Sequence, residues 1–264
     1  MTKVIIMGSG AAPGVPSVAS GWGACNPAND KNRRRRTGTY IEICDQKILI
    51  DTSPDIRTQL LDNGISYLDA VLYTHAHADH LHGIDDLREL NRISKRPIDI
   101  YGSENTIKQI KTRFSYLICE GDCPDGGFFK ASLIPHTFSK DEDLFLGNVK
   151  ITPLGLSGHT IDSNGYIFND GEIVYVADCE EIPESELLKI KNKPKLMIMP
   201  LTIIKPHHQR FYHMGLDKVL EYVNLIKPEI TVLNHMASEC DYDVINDLTP
   251  ANVWPAYDNM TIEI

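Results

Sequence analysis

No stretch of this sequence comes near the ~20 consecutive apolar residues that a membrane-crossing helix needs. The opening MTKVIIMGSGAAPG holds an apolar run of only four residues, Val4 to Met7. That is short for a secretory signal and reads as a first strand. Positive charge is also in deficit. Lys and Arg number 26 against 36 Asp and Glu, for a net charge of −10, and such a surface repels nucleic acid phosphates in general. Cysteine is sparse, with six residues scattered at 25, 44, 119, 123, 179 and 240. A secreted disulfide scaffold is smaller and denser in Cys, so reduced thiols and a cytoplasmic setting are expected. Long linkers, low-complexity tracts and strict repeats are missing too. With 264 residues, 42% of them hydrophobic, a single domain spanning 1–264 around one sizeable core is expected.

What is present is alternation. Short apolar runs alternate with helical patterns, which predicts a layered α/β fold. Strands are expected at Lys3–Met7, Thr39–Ile43, Lys47–Asp51, Ala70–Thr74, Ile98–Tyr101, Val149–Leu154, Gly165–Phe168, Ile173–Ala177, Leu196–Pro200, Ile230–Leu233 and Thr261–Ile264, with NDG at 169–171 as a tight hairpin. Ser53 and Pro54 mark a helix start, and Gly64 stops that helix. A second helix is expected from Asp79 to about Ile93, because Leu81, Ile84, Leu87 and Leu90 give it a buried stripe. Others are expected at about Ser103–Tyr116, Pro183–Ile190 and Gly215–Ile226. Residues 117–148 are the least regular segment.

Histidine is concentrated. THAHADHLHG, residues 74–83, holds four His and one Asp. The run AVLY leads to His75 and His77, VKITPL to His159, EIVYVA to Asp178 and ITVL to His235. Four strands thus each deliver a metal-binding side chain just past their C-terminal ends, the edge where layered α/β folds assemble sites. His75 and His77 are two apart in an extended segment, so they point the same way. Asp79 and His80 can turn back from a helix start to the same point. His75, His77, Asp79, His80, His159, Asp178 and His235 make seven ligands, too many for one tetrahedral ion. They suit two metals that share a carboxylate and a bridging water. Imidazole and carboxylate donors fit Zn²⁺ first, and Mn²⁺ or Fe²⁺ as alternatives.

THAHADH matches the HxHxDH signature of the metallo-β-lactamase superfamily, and SGHT, VADC and LNHM match its later ligand positions. The resemblance covers essentially the whole chain. It implies an αββα sandwich with a dinuclear site at one edge of the sheets. By that match His75, His77 and His159 hold one metal, Asp79, His80 and His235 the other, and Asp178 bridges. GSGAAPGVP, NRRRRTGTYIEI, ILIDTSPDIRTQLL, HGIDDLREL and PAYDNMTIEI resemble the phosphodiesterase branch. That branch includes phosphoribosyl cyclic phosphate phosphodiesterases and, more distantly, tRNA 3′-processing endonucleases. The cyclic phosphodiesterases often carry a structural zinc on an N-terminal Cys cluster and a later His. Here GWGACNPANDKN retains only Cys25, and Ser238 stands three residues beyond His235, so that second zinc is not expected.

The reaction expected is therefore hydrolysis of a small or cyclic phosphodiester, of the phosphoribosyl 1,2-cyclic phosphate type, by a metal-bridging hydroxide. In-line displacement needs cationic stabilisation and a proton for the leaving oxygen. Arg33 to Arg36 supply cations in an acidic chain. In an extended segment either Arg34 and Arg36 or Arg33 and Arg35 would reach the site, and the first pair is taken as substrate-binding. Asp79 and His213 are the catalytic candidates, with His213 as general acid and substrate contact. His207 and His208 are weaker candidates in the same loop. Asp258 is expected to orient a ligand His or form a turn. Trp22, Phe128 and Phe129 are candidates to line a pocket. His82 is expected to support a ligand or to pair with Asp85, Asp86 or Glu89.

Three other readings are kept open: a dinuclear thioester or lactone hydrolase, a tRNA 3′-processing-like endonuclease, and a non-enzymatic metal-binding protein. The acidic balance argues against nucleic acid as partner. A small-molecule substrate, no membrane partner and a homodimer are the remaining expectations.

Overall fold

The computed structural model describes residues 1–119, 131–205 and 212–264. Two seven-stranded sheets face each other. The first holds β1 (Lys3–Gly8), β2 (Gly38–Ile43), β3 (Gln46–Ile50), β4 (Ala70–Leu72), β5 (Ile98–Ser103) and β6 (Leu133–Phe138). The second holds β7 (Leu144–Leu146), β8 (Val149–Leu156), β9 (Ser163–Phe168), β10 (Ile173–Tyr175), β11 (Leu196–Pro200), β12 (Ile230–Asn234) and β13 (Val253–Pro255). The last strand, β14 (Met260–Glu263), returns to the first sheet beside β1.

Each sheet runs through three antiparallel pairings and then three parallel ones. β3 and β10 occupy equivalent places, each the strand where antiparallel pairing gives way to parallel. The chain leaves β3 into Asp51 and leaves β10 toward Asp178. The sheets therefore repeat a pattern that no sequence repeat announces.

Strands buried on both faces explain the continuous apolar runs. In β1, Val4 and Ile6 point into the core between the sheets, while Ile5 and Met7 point into the layer under the helices. That outer layer is closed by α1 (Ile56–Asp62), α2 (Ala78–Leu81), α3 (Leu87–Ser94) and α4 (Glu104–Arg113) through Ile56, Leu60, Leu81, Leu87, Leu90 and Ile107. On the second sheet sit α5 (Glu184–Leu187), α6 (Leu216–Ile226) and α7 (Tyr242–Leu248), anchored by Leu187, Leu216, Val219, Tyr222 and Ile245. The result is the expected αββα sandwich. Asn169 and Asp170 have φ values of 48° and 59°, and this left-handed turn makes the NDG hairpin between β9 and β10.

The expected helix from Asp79 to Ile93 is broken. α2 ends at Leu81, a 3₁₀ turn covers Ile84–Asp86, and α3 begins at Leu87. Thr52 causes the break. Its N–H donates to the His80 carbonyl at 2.7 Å, and its own carbonyl accepts from Gly83 N–H at 2.9 Å, so both groups are lost to a continuous helix. A Cβ at Gly83 would lie 2.0 Å from the Ser53 carbonyl oxygen, which is why only glycine fits there. The stripe Leu81, Ile84, Leu87 and Leu90 is buried all the same.

β6, β7, β13 and α7 were not anticipated. Pro135 weakens the strand pattern of β6, and it is accommodated because β6 is an edge strand. Cys25, Cys44, Cys179 and Cys240 are free thiols. Cys119 is disulfide-bonded, which corrects the expectation of reduced thiols at that residue. Cys123, Phe128, Phe129, His207 and His208 lie outside the described residues. Among the described residues no helix is long and apolar enough to cross a membrane.

Candidate metal centre

The chain stays extended past β4 until His77, which caps α2 with φ −71° and ψ 157°. His75 and His77 leave this stretch together, and Asp79 and His80 follow in the single turn of α2. Loops after β8, β10 and β12 bring His159, Asp178 and His235 to the same edge.

Two groups of donor atoms result. His75 Nε2 lies 3.1 Å from His77 Nδ1, and His159 Nε2 lies 2.9 Å from that same atom. In the second group Asp79 Oδ2 is 3.3 Å from both His80 Nε2 and His235 Nε2. Asp178 Oδ2 is 3.2 Å from His235 Nε2 and 3.5 Å from His80 Nε2. A third set, His159, Asp178 and His213, spans the two groups, and within each set the donor atoms lie within 4.8 Å of one another.

The far nitrogen of each ligand ring is already engaged. His75 Nδ1 meets Thr74 Oγ1 at 3.0 Å, and His77 Nε2 meets Thr160 Oγ1 at 3.1 Å. His159 Nδ1 donates to the Tyr212 carbonyl at 3.2 Å, and His235 Nδ1 meets Thr202 Oγ1 at 3.1 Å. His80 Nδ1 donates to Asp51 Oδ2 at 2.7 Å. Such outer contacts fix tautomer and ring direction in metal sites. Zn–N bonds of ~2.0–2.1 Å put neighbouring ligand atoms roughly 3.3 Å apart, close to the spacings seen. His80 Nε2 is buried with no hydrogen-bond partner, as an atom reserved for a ligand would be.

The electrostatics also call for a cation. Asp51, Asp79 and Asp178 are all buried around His80. Burial alone would raise the Asp79 and Asp178 carboxyls, but neighbouring imidazoles, His80 and His235, outweigh it and hold both well below the usual carboxylate range. Burial alone would strip His80 of its proton, yet Asp79, Asp51 and Asp178 outweigh that and raise its pKa well above the ordinary range. The metal-free protein thus keeps a proton where a divalent ion fits. Stabilisation from that proton is complete below about pH 6.5 and is lost as pH rises through the raised folded value. Metal must displace it, so affinity is expected to rise with pH above about 6.5, by up to roughly tenfold per unit. Chelator competition across that range measures this, and a pH-independent affinity would contradict it.

His213 sits beside both groups, its ring 5.6 Å from His235 in a stacked arrangement and its Nδ1 3.9 Å from Asp178 Oδ2. Burial pushes its pKa down to about 4, so it is neutral near pH 7. His77, Asp79, His159, Asp178, His213 and His235 open together onto one cleft of about 500 Å³.

The arginines turn elsewhere, which corrects their expected role. Arg34 is 2% exposed. Its guanidinium reaches Cys25 Sγ at 3.7 Å, the Ala237 carbonyl at 3.4 Å and Asn32 Oδ1 at 3.1 Å. Arg36 forks onto Asp55 at 2.6 and 2.7 Å. Val15 and Arg34 exchange backbone hydrogen bonds at 2.9 and 2.8 Å, which holds this stretch extended, but none of the four arginines lines the metal-group cleft. All four line a separate cavity of about 570 Å³, divided from the cleft by Pro13 and Gly14, which wall both. No Lys or Arg lines the cleft among the described residues.

Asp258 takes the second of its two expected places, in the turn before β14. It accepts from Ser9 N–H, Ser9 Oγ and Arg35 N–H at 2.9, 2.9 and 2.8 Å and touches no ligand His. Its influence runs through backbone, since the Ser9 carbonyl accepts from Met236 N–H at 2.9 Å. His235, next in line, holds a left-handed φ of 57°. His82 makes no hydrogen bond to Asp85, Asp86 or Glu89 among the described residues, and its Nε2 faces Arg113 instead. The residue that does hold one of the clustered histidines, Asp51 on His80, was missed. The signal was available, because ILID ends on a carboxylate as a strand gives way to a loop.

Residues 46–236 match the model of the beta-lactamase superfamily domain. The chain is similar to the octanoyltransferase of Porphyromonas gingivalis, 28% identical over 261 residues, which is 98% of this chain and 51% of that protein. It is similar to the ribonuclease Z of a Bradyrhizobium species, 29% identical over 152 residues, 56% of this chain and 48% of that one. The chain thus spans about half the length of these curated relatives. Among solved structures it resembles a diphosphatase from the PhnP family, with a TM-score of 0.87 and 27% identity, covering 100% of this chain and 98% of the other.

Proposed function

The chain belongs to the beta-lactamase superfamily, and from that premise we propose that it is a metal-dependent hydrolase that opens a small phosphodiester. The observation that carries the reading is the pair of donor groups joined at Asp178 in one cleft. His75, His77 and His159 hold one divalent ion. Asp79, His80 and His235 hold a second, and Asp178 is shared. Zn²⁺ fits this donor set best, with Mn²⁺ or Fe²⁺ as alternatives. When bound, two such ions supply Lewis acidity and a water of lowered pKa.

Asp79 lines the cleft as well as the second group, and it orients the attacking water by accepting its hydrogen bond. His213 meets the substrate. It is neutral near pH 7 in the free protein, since burial lowers its pKa to about 4, so it must take up a proton before it can act as an acid. It can then protonate the leaving oxygen. No Lys or Arg stands in the described lining, so among the described residues His213 is the side chain that would meet phosphoryl charge beside the ions. The likeness to the PhnP-family diphosphatase supports chemistry at phosphorus.

A thioester or lactone carries no charge to be met, and the lack of cations in the described lining suits that reading too. Metal-loaded protein is expected to hydrolyse bis-p-nitrophenyl phosphate. His213→Asn should slow hydrolysis of a phosphodiester with an alkoxide leaving group, which needs that proton, by about 10²-fold while changing turnover of a neutral aryl ester much less. Equal slowing of both favours acyl chemistry, and loaded protein inert toward the phosphodiester would sink the proposal.

A further inference from the structure

The fourth histidine of THAHADHLHG binds no metal in the arrangement above, and the structure gives it another task. Arg113, the last residue of α4, extends its guanidinium to the ligand stretch. Its Nη2 donates to the Ala76 carbonyl at 2.6 Å, and its Nη1 lies 3.4 Å from His82 Nε2. Ala76 stands between His75 and His77, and His82 stands two residues past His80. One planar fork therefore brackets His77, Asp79 and His80 from both sides.

We propose that Arg113 and His82 act as a single positioning clamp on the metal-binding stretch. The inference rests on the metal reading of those residues. The carbonyls of Tyr73, Thr74 and His77 have partners of their own. Tyr166 Oη donates to the Tyr73 carbonyl at 2.6 Å, Asn164 N–H to the Thr74 carbonyl at 3.1 Å, and His80 N–H to the His77 carbonyl at 3.2 Å. The Ala76 carbonyl belongs to the peptide plane that leads into His77, so its direction sets where the His77 ring starts. Arg113 fixes that plane from a helix whose Ile107 and Ile110 are buried, which makes the anchor rigid. Phe114 meets the His82 ring edge at 5.8 Å between centroids and keeps it turned toward the fork. Only a guanidinium spans both points, because its two Nη groups are fixed in one plane. A lysine ammonium reaches one of them.

The charge of Arg113 works the other way, since a cation beside the site repels metal. It lies on an exposed side chain and is screened, so positioning is expected to win. Zinc affinity of the full chain is measured by chelator competition. R113M is expected to weaken it about tenfold and H82F a few-fold, the range for residues that orient ligands. R113M/H82F should be no weaker than R113M, because the two form one unit. R113K should fall between parent and R113M, which keeps the test usable if R113M folds poorly. Ethylguanidinium should restore affinity to R113M. R92M, which removes another exposed arginine, should match the parent. Unchanged or tighter zinc binding by R113M, or strictly additive losses in the double variant, overturns the clamp. A parent chain that binds no zinc at all overturns the metal reading, and this inference with it.

Discussion

His75→Ala is expected to cost at least ~10³-fold in kcat/KM toward an activated phosphodiester and roughly one bound metal per chain. His75 is fully buried, with Nδ1 held by Thr74 Oγ1 and Nε2 3.1 Å from His77 Nδ1. Removing it leaves the first group with His77 and His159, both only partly buried. Two ligands on loops hold a divalent ion far less firmly than three converging ones. Losing several kcal/mol of transition-state stabilisation is a loss of three or more powers of ten in rate. Elemental analysis and initial rates measure the two effects together. A chelated parent should recover on adding zinc, whereas His75→Ala should not. His136→Ala is the control, since His136 pairs with Asp99 at 2.7 Å on an edge strand away from both groups. Retention of both metals and of activity in His75→Ala would refute the assignment.

The members of the two donor groups were legible because four apolar runs lead into His75 and His77, His159, Asp178 and His235, with Asp79 and His80 following in the same motif. Strand ends can be read from composition, and His or Asp directly after one is a local signal. The three-dimensional convergence follows from topology and packing together, since β8, β10 and β12 run the same way in the second sheet and β4 of the first sheet ends at the same edge of the sandwich. The arginines were not legible in the same way. Alternation offered two pairs of them, but not what each arginine meets. That depended on Val15 pairing with Arg34 and on Asp55 lying opposite Arg36, contacts set by residues distant in sequence. The helix expected from Asp79 to Ile93 failed for a similar reason. Its stripe was correct, but a backbone segment at Thr52 and Ser53 competes for His80 and Gly83. Periodicity carries no trace of a neighbour's carbonyl. His82 shows the limit from the other side. Its helical face pointed toward acids, and the real partner came from the end of α4.

Asp51 separates metal binding from folding, and two replacements are expected to behave differently. Its carboxylate is wholly buried, and it accepts from Thr74 N–H and Thr74 Oγ1 at 2.8 Å each and from His80 Nδ1 at 2.7 Å. Its φ is 63°, a left-handed conformation that asparagine tolerates better than most residues. Asp51→Asn keeps the shape and the acceptor for Thr74 N–H. Its amide then faces His80 Nδ1, which must turn acceptor and move its proton to Nε2. A protonated Nε2 cannot bind metal. Affinity for the second ion should fall about 10–100-fold, with activity following it. Burial raises the Asp51 carboxyl even against the pull of His80 and Thr74, and Asp51→Asn keeps the buried acceptor for Thr74 N–H, so it should cost the metal-free fold less than Asp51→Ala. Asp51→Ala instead strands three buried donors and leaves a protonated His80 without this partner. Metal-free stability should drop by about 3–5 kcal/mol. The deficit is largest below about pH 6.5, where the His80 proton contributes in full, and it shrinks as pH rises through the raised folded value. Denaturant melts of the metal-free variants and zinc titrations of the refolded chains separate the two effects. If Asp51→Asn binds two ions as tightly as the parent, Asp51 does not set the tautomer of His80.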